Sequence, residues 1–203
     1  MRKHLLVLPA IIFATFSYGQ EISARLKVKD KWGYIDKTGK FFIEPKFEGA
    51  QQFSEGFAAV RQDGKWGYID IKGNVVVPIE LNGAEPFSNG LAKVRSGSKF
   101  GYIDRTGKIA IPVTFDKAGN FSNGLARVRV GDFWGYVNSK GELVIKPQFN
   151  GAQNFNQGFA MVKVKDSWGF INKTGAVIVN PTYAGGEIKP FTETSGSSSE
   201  DND

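Results

Sequence analysis

From Ile22 to Val179 the chain is a succession of short runs in which apolar and polar positions alternate, each closed by turn residues. In its second stretch the runs are Phe57 to Gln62, Lys65 to Asp70 and Asn74 to Pro78, rich in β-branched and aromatic residues and separated by Asp63-Gly64 and Lys72-Gly73. Runs of this composition read as strands. Nowhere does an apolar spacing of i, i+3, i+4 persist for about ten residues, so the pattern predicts strands and no helix.

The pattern also repeats. Trp32-Gly33, Trp66-Gly67, Phe100-Gly101, Trp134-Gly135 and Trp168-Gly169 follow one another at intervals of 34 residues. A period kept without slippage defines a repeat architecture. Each unit continues with an aromatic residue, Ile or Val, then Asp or Asn, as in Tyr68-Ile69-Asp70, and Gly39, Gly73, Gly107, Gly141 and Gly175 follow at a fixed offset. Residues 20–183 thus hold five units of three strands each.

Turn chemistry fixes a register. Asp63-Gly64 fits a two-residue type I′ loop, which sets Gln62 opposite Lys65 and Arg61 opposite Trp66. Lys29-Asp30, Gly97-Ser98, Gly131-Asp132 and Lys165-Asp166 stand at the same place in the other units. The second turn, such as Asp36-Lys37-Thr38-Gly39, fits a type I turn followed by a left-handed glycine, with Asp or Asn accepting bonds from the turn backbone. Pro45, Pro78, Pro112, Pro147 and Pro181 are expected to end the third strands, since proline cannot donate to a ladder. Some ten residues then lead to the next unit. Phe47, Phe53, Phe115 and Phe121 recur there and are expected to plug into the core between units. The array opens on a first strand and closes on a third, so its ends lack the offset that would let one terminal strand complete a ring. The expected fold is all-β, a tandem array of five three-stranded antiparallel units in an open curved or superhelical stack. A closed propeller-like ring is the alternative.

The ends change the picture of where the chain works. Arg2, Lys3 and His4, the apolar run Leu5 to Phe16 and the small-x-small triplet Ser17-Tyr18-Gly19 make residues 1–19 an expected signal peptide. The run is too short to span a bilayer as a helix, so no membrane span is expected in the mature chain. Export to the periplasm, the cell surface or the medium follows. Residues 184–203 are expected to form a polar, disordered tail. Without the leader the chain keeps 24 Lys and Arg against 20 Asp and Glu, a net charge of +4 that gives no reason to expect nucleic acid. There is no cysteine, and the one histidine is His4. That excludes Ser-His-Asp and Cys-His catalysis and the usual zinc sites; no cofactor and no metal are expected.

The motif Lys65-Trp66-Gly67-Tyr68-Ile69-Asp70 with Gly73, Pro78, Phe87-Ser88, Gly90-Leu91-Ala92 and Val94, repeated in every unit, resembles the WG-repeat family of short tandem β-repeats in bacterial proteins. The likeness covers residues 22–183, and the third unit departs from it only in carrying Phe100 for Trp. It implies a repeat scaffold with a binding role and no defined catalytic residues.

The candidate binding residues are a ladder of cations and rings. Lys27, Arg61, Arg95, Arg129 and Lys163 stand five residues before each ring, and the hairpin register sets them opposite Trp32, Trp66, Phe100, Trp134 and Trp168. Two residues earlier, on the same strand face, lie Arg25, Ala59, Lys93, Arg127 and Met161. One reading is a periodic cation–aromatic surface for an envelope glycan or a protein partner, each contact contributing about 0.5–1 kcal/mol when exposed. The other is a row of rings in the core between units with Lys and Arg stems laid over them. A carboxylate-based glycan hydrolase is the third class. Most acids occupy repeated turn positions, however, and only Glu44, Glu80, Glu85 and Glu187 fall outside them. The expected function is therefore an exported, non-enzymatic binding or scaffolding module.

Overall fold

The computed structural model describes residues 24–185, and the expected leader and all but the first two residues of the expected tail lie outside them. Every regular element within that range is a strand. The strands form five antiparallel sheets, one per unit. The first sheet has three strands, Ala24–Val28, Lys31–Ile35 and Phe41–Phe47. The others have four. In the second unit these are Gly49–Ala50, Phe57–Gln62, Lys65–Asp70 and Val75–Leu81, in that spatial order. The first two long strands match the sequence reading, and the two-residue strand comes from within the expected loop.

The hairpin register is the one turn chemistry requires. Gln62 pairs with Lys65 and Arg61 with Trp66, and the other four units repeat this pairing. Asp63 and Gly64 both take positive φ, 50° and 73°, as type I′ demands. At the second turn the Asp36 carboxylate accepts from the Thr38 amide (2.8 Å), the Thr38 hydroxyl (2.6 Å) and the Lys40 amide (3.2 Å). Asn138 and Asn172 accept the corresponding amides in the fourth and fifth units.

The third strand does not end at its proline. It runs through it, as in Val75–Leu81 around Pro78. The reason is a bulge: Trp66 pairs with Leu81 and Tyr68 with Val77, so two steps on the middle strand face four on the third. Residues in a bulge leave the ladder, and a proline there costs no hydrogen bond. The same bulge explains the glycine after Trp. A Cβ on Gly67 would lie 2.6 Å from the Val77 carbonyl oxygen and 2.8 Å from the Ile79 Cα. Only a residue without a side chain admits the bulged strand so close.

Each unit buries its faces against its neighbours. Four apolar clusters lie at the four joints between five units. The first joins Tyr34, Ile43 and Phe47 of unit one to Ala58, Val60 and Ile69 of unit two, and the last joins Tyr136, Ile145 and Phe149 to Ala160, Val162 and Ile171. The connection is pinned into each joint twice. Phe53, Phe87, Phe121 and Phe155 pack on Tyr34, Tyr68, Tyr102 and Tyr136, with ring centroids 4.6–5.1 Å apart. Those tyrosine hydroxyls donate to the carbonyls of Gln51, Glu85, Gly119 and Gln153 at 2.5–2.8 Å. Burial pushes all four phenols well above their ordinary pKa, so they remain donors. Phe47 and Phe115 are buried and Phe53 and Phe121 half-buried in these cores, as the sequence reading expects.

Among the described residues the array does not close: no strand of the first sheet pairs with one of the fifth, and Ala24–Val28 is exposed along its whole length.

Two predictions follow the geometry. Gly67→Ala should cost about 3 kcal/mol, the upper range for overpacking, whereas Gly90→Ala, with φ 82° and nothing within 4 Å of its Cβ, should cost about 1–2 kcal/mol, the left-handed penalty alone. Urea melts of the two variants check the difference; equal losses would contradict the close approach.

The turn carboxylates give the second. The Thr38 and Thr106 hydroxyls, with the turn amides, hold Asp36 and Asp104 below their ordinary value of 3.8. A depressed folded pKa contributes stability above 3.8 that is lost as pH falls through the lowered value. Asp36→Asn with Asp104→Asn copies the fourth and fifth units, and should make stability fall less steeply below that pH. Melting temperatures taken across the acid range test it, and an unchanged acid limb would refute the assignment.

Candidate functional site

The register brings every cation of the ladder beside its ring, and all five rings are half-buried. Trp32, Trp66 and Trp134 each lean on the core of the joint that follows. Four of the five cations have an acceptor in their own neighbourhood. Lys27 pairs with Asp30 at 3.0 Å and Lys163 with Asp166 at 3.4 Å, each across its own hairpin turn. Arg61 lies 3.9 Å from Glu48, and Arg95 donates to the Asn82 carbonyl at 2.8 Å. Arg129 sits near Asp116, whose carboxyl is held below its ordinary range first by the Lys99 ammonium and then by the Gly131 amide.

The cation that covers the ring differs between units. Arg61 lies over Trp66 at 5.9 Å, as the register predicts. Over Trp32 and Trp134 the guanidinium belongs instead to Arg25 and Arg127, both at 5.1 Å. These residues are diagonal to the ring, and each is long enough to cover it while donating across the joint, to the Ala50 and Ala152 carbonyls at 2.5 Å. Lys27, directly opposite its ring, is committed to Asp30.

The second unit breaks this scheme, with Ala59 where Arg25 and Arg127 stand. There Gln51, whose amide bonds the Ala59 carbonyl, sends its side-chain amide to the Ala84 carbonyl at 3.0 Å. In the fourth unit the two positions are exchanged in size. Gly119 bonds Arg127, and a Cβ on Gly119 would lie 2.8 Å from the Arg127 side chain.

The third unit breaks it again. In units two and five the indole tip reaches over the short edge strand, 3.3 Å from a Cβ placed on Gly49 and 3.2 Å from one on Gly151. Phe100 is too short to do so, and only Arg95 comes within 4 Å of the same point at Gly83. The result is a cleft of about 320 Å³ where the second unit meets the third. Its walls include Trp66 and Phe100, the cations Lys93 and Arg95, the carboxylate Glu85 and the amides Gln51 and Asn82. Of the ladder, the cleft gathers Trp66, Arg95 and Phe100; Lys27, Arg61, Arg129, Lys163, Trp32, Trp134 and Trp168 lie outside it. Gln51, Asn82 and Glu85 were invisible as a group in the sequence, and the signal for them was the paired departure at Ala59 and Phe100.

The acids outside the turn pattern do not converge on it. Glu85 alone lines the cleft, while Glu44 and Glu80 are exposed on third strands. Glu187 lies outside the described residues. Among the described residues no three His, Cys, Asp or Glu side chains gather as metal ligands.

Bonds across a joint should matter more than bonds within a unit. Arg127→Ala leaves the Ala152 carbonyl without its donor and should cost about 1–3 kcal/mol. Arg61→Gln and Arg95→Gln remove exposed contacts and should each cost less than about 1 kcal/mol. Thermal melts of the three variants check the order, and its reversal would mean that the ladder cations themselves seal the joints.

No curated protein matches the chain. Among solved structures, that of a eukaryotic initiation factor has a TM-score of 0.51 at 12% identity, over 77% of this chain and 50% of that one. A protein of unknown function from Bacteroides caccae has a TM-score of 0.35 at 14% identity, over 73% and 68%. This chain spans half the length of the initiation factor, and that likeness is one of fold alone. The WG containing repeat matches residues 32–66, 66–100, 100–132, 134–167 and 168–193, five tandem matches that begin at the five ring-Gly steps. With the period, the Trp-Gly bulge and the sheet-on-sheet joints in place, the chain belongs to the WG-repeat family.

Proposed function

We propose that the protein is an exported, non-enzymatic β-repeat module that binds or scaffolds a partner in the cell envelope or outside the cell. The observation that carries the reading is the cleft between units two and three. At the regular positions of the repeat, side chains are engaged with one another. At this joint, two departures from the repeat leave space beside Trp66 and set charged and amide groups around it. Its volume of about 320 Å³ is at the lower end of the roughly 300–1,000 Å³ typical of ligand sites, and its lining is more polar than apolar.

A second reading, recognition of a cell-wall or surface glycan, is favoured by the make-up of the wall. The Trp66 ring offers a flat apolar face, and Gln51, Asn82, Glu85, Lys93 and Arg95 supply donors and acceptors for hydroxyl groups. Glycan hydrolysis would need two carboxylates flanking the bond, and this wall carries one.

The repeat itself supplies the test. Gln51→Gly with Ala59→Arg copies the Gly119 and Arg127 pair of unit four and brings a second guanidinium, besides that of Arg61, to Trp66. The full chain and this variant are titrated against envelope polysaccharide and envelope protein fractions, with a thermal melt of each. Binding by the native chain should weaken at least about tenfold in the variant, with little change in melting. Equal binding by a folded variant would remove the cleft from the proposal.

A further inference from the structure

We propose that the outer face of the first unit is a docking surface for the fifth unit of a second copy of this chain, so that the protein associates head to tail. The inference rests on the joints and is independent of the cleft. At every internal joint the following sheet offers two first-strand residues and one middle-strand residue, all apolar. In unit two these are Ala58, Val60 and Ile69, exposed by 1%, 0% and 0%, and in unit five Ala160, Val162 and Ile171, at 1%, 0% and 0%. The first unit carries Ala24, Leu26 and Ile35 at the same positions. Ala24 is exposed, Leu26 is 43% exposed and Ile35 is half-buried. An end unit meant to face water presents a polar outer side. This one keeps the residues of a joint.

One further feature of the first unit has the form of a joint without its neighbour. The turn glycines Gly73, Gly107, Gly141 and Gly175 sit against Ile43, Val77, Ile111 and Ile145 of the preceding unit, with Cβ positions 3.0–3.5 Å from those side chains. Gly39, at the same place, has nothing within 4 Å.

The surface that fits this face is one the chain already carries. Four times over, the exit face of one unit receives the entry face of the next. On the fifth unit that exit face presents Val179 and Tyr183, the counterparts of Ile145 and Phe149, which are 3% and 6% exposed. Val179 is half-buried and Tyr183 is 42% exposed. Val179 is the residue on which a Gly39 turn would rest. The contact pairs two different patches, so it is heterologous and runs on from copy to copy instead of closing as a two-fold dimer.

Sedimentation of the full exported chain over a wide concentration range tests this, with Leu26→Lys blocking the entry face and Tyr183→Lys the exit face. Native protein should grow in mass with concentration past a dimer, and each variant alone should stay a monomer. Their equimolar mixture should give a one-to-one dimer and nothing larger, because each brings one intact face. Three outcomes would overturn the proposal: a native chain monomeric at its highest soluble concentration, a mixture that stays monomeric, or assembly of either variant alone. So would a monomeric native chain whose melting temperature drops sharply with Leu26→Lys, since the face would then be covered by the chain's own residues.

Discussion

A single 34-residue sheet has two faces and cannot cover either, so every unit of this protein depends on burial across a joint. That constraint accounts for most of what is repeated. The small apolar triplet of one face meets the tyrosine, isoleucine and phenylalanine of the next. The connecting segment is drawn into the same cluster by a phenylalanine and a tyrosine hydroxyl bond. Stability in such an array is a sum of neighbour terms, and the end units lack one term each.

Within the unit, the Trp-Gly step serves the same end by a different route. Glycine admits the bulged third strand, and the bulge turns that strand so that Ile43 and Phe47, or Val77 and Leu81, point into the following joint. The ring beside it leans on that cluster, and a guanidinium covers it in three of the units. The family signature is thus consumed by packing. The pattern is broken at Ala59 and Phe100, where the second unit meets the third, and the proposed recognition rests on that break.

Strands, turns and register were legible in the sequence because local chemistry decides them. Positive φ at Asp63 and Gly64, carboxylate or amide acceptors at Asp36 and Asn138, and alternation along each strand act within a few residues of one another. The 34-residue period carried these assignments across all five units and with them the all-β tandem array. Even the weak turn formers Lys29 and Asp30 take φ of 46° and 65°, because the paired strands on either side impose the turn.

What the tertiary structure decided concerns partners far apart in the chain. Proline does not end the third strand, since its pairing with the middle strand is bulged there. Arg25 and Arg127, and not Lys27 and Arg129, cover their rings, because the choice depends on a carbonyl 25 residues away across a joint. The cleft lies beside the short ring of Phe100, lined by residues far apart in the chain. Alternation along a strand gives two faces; only the stacking of one sheet on the next determines which of them is buried, which is shared, and which is left open.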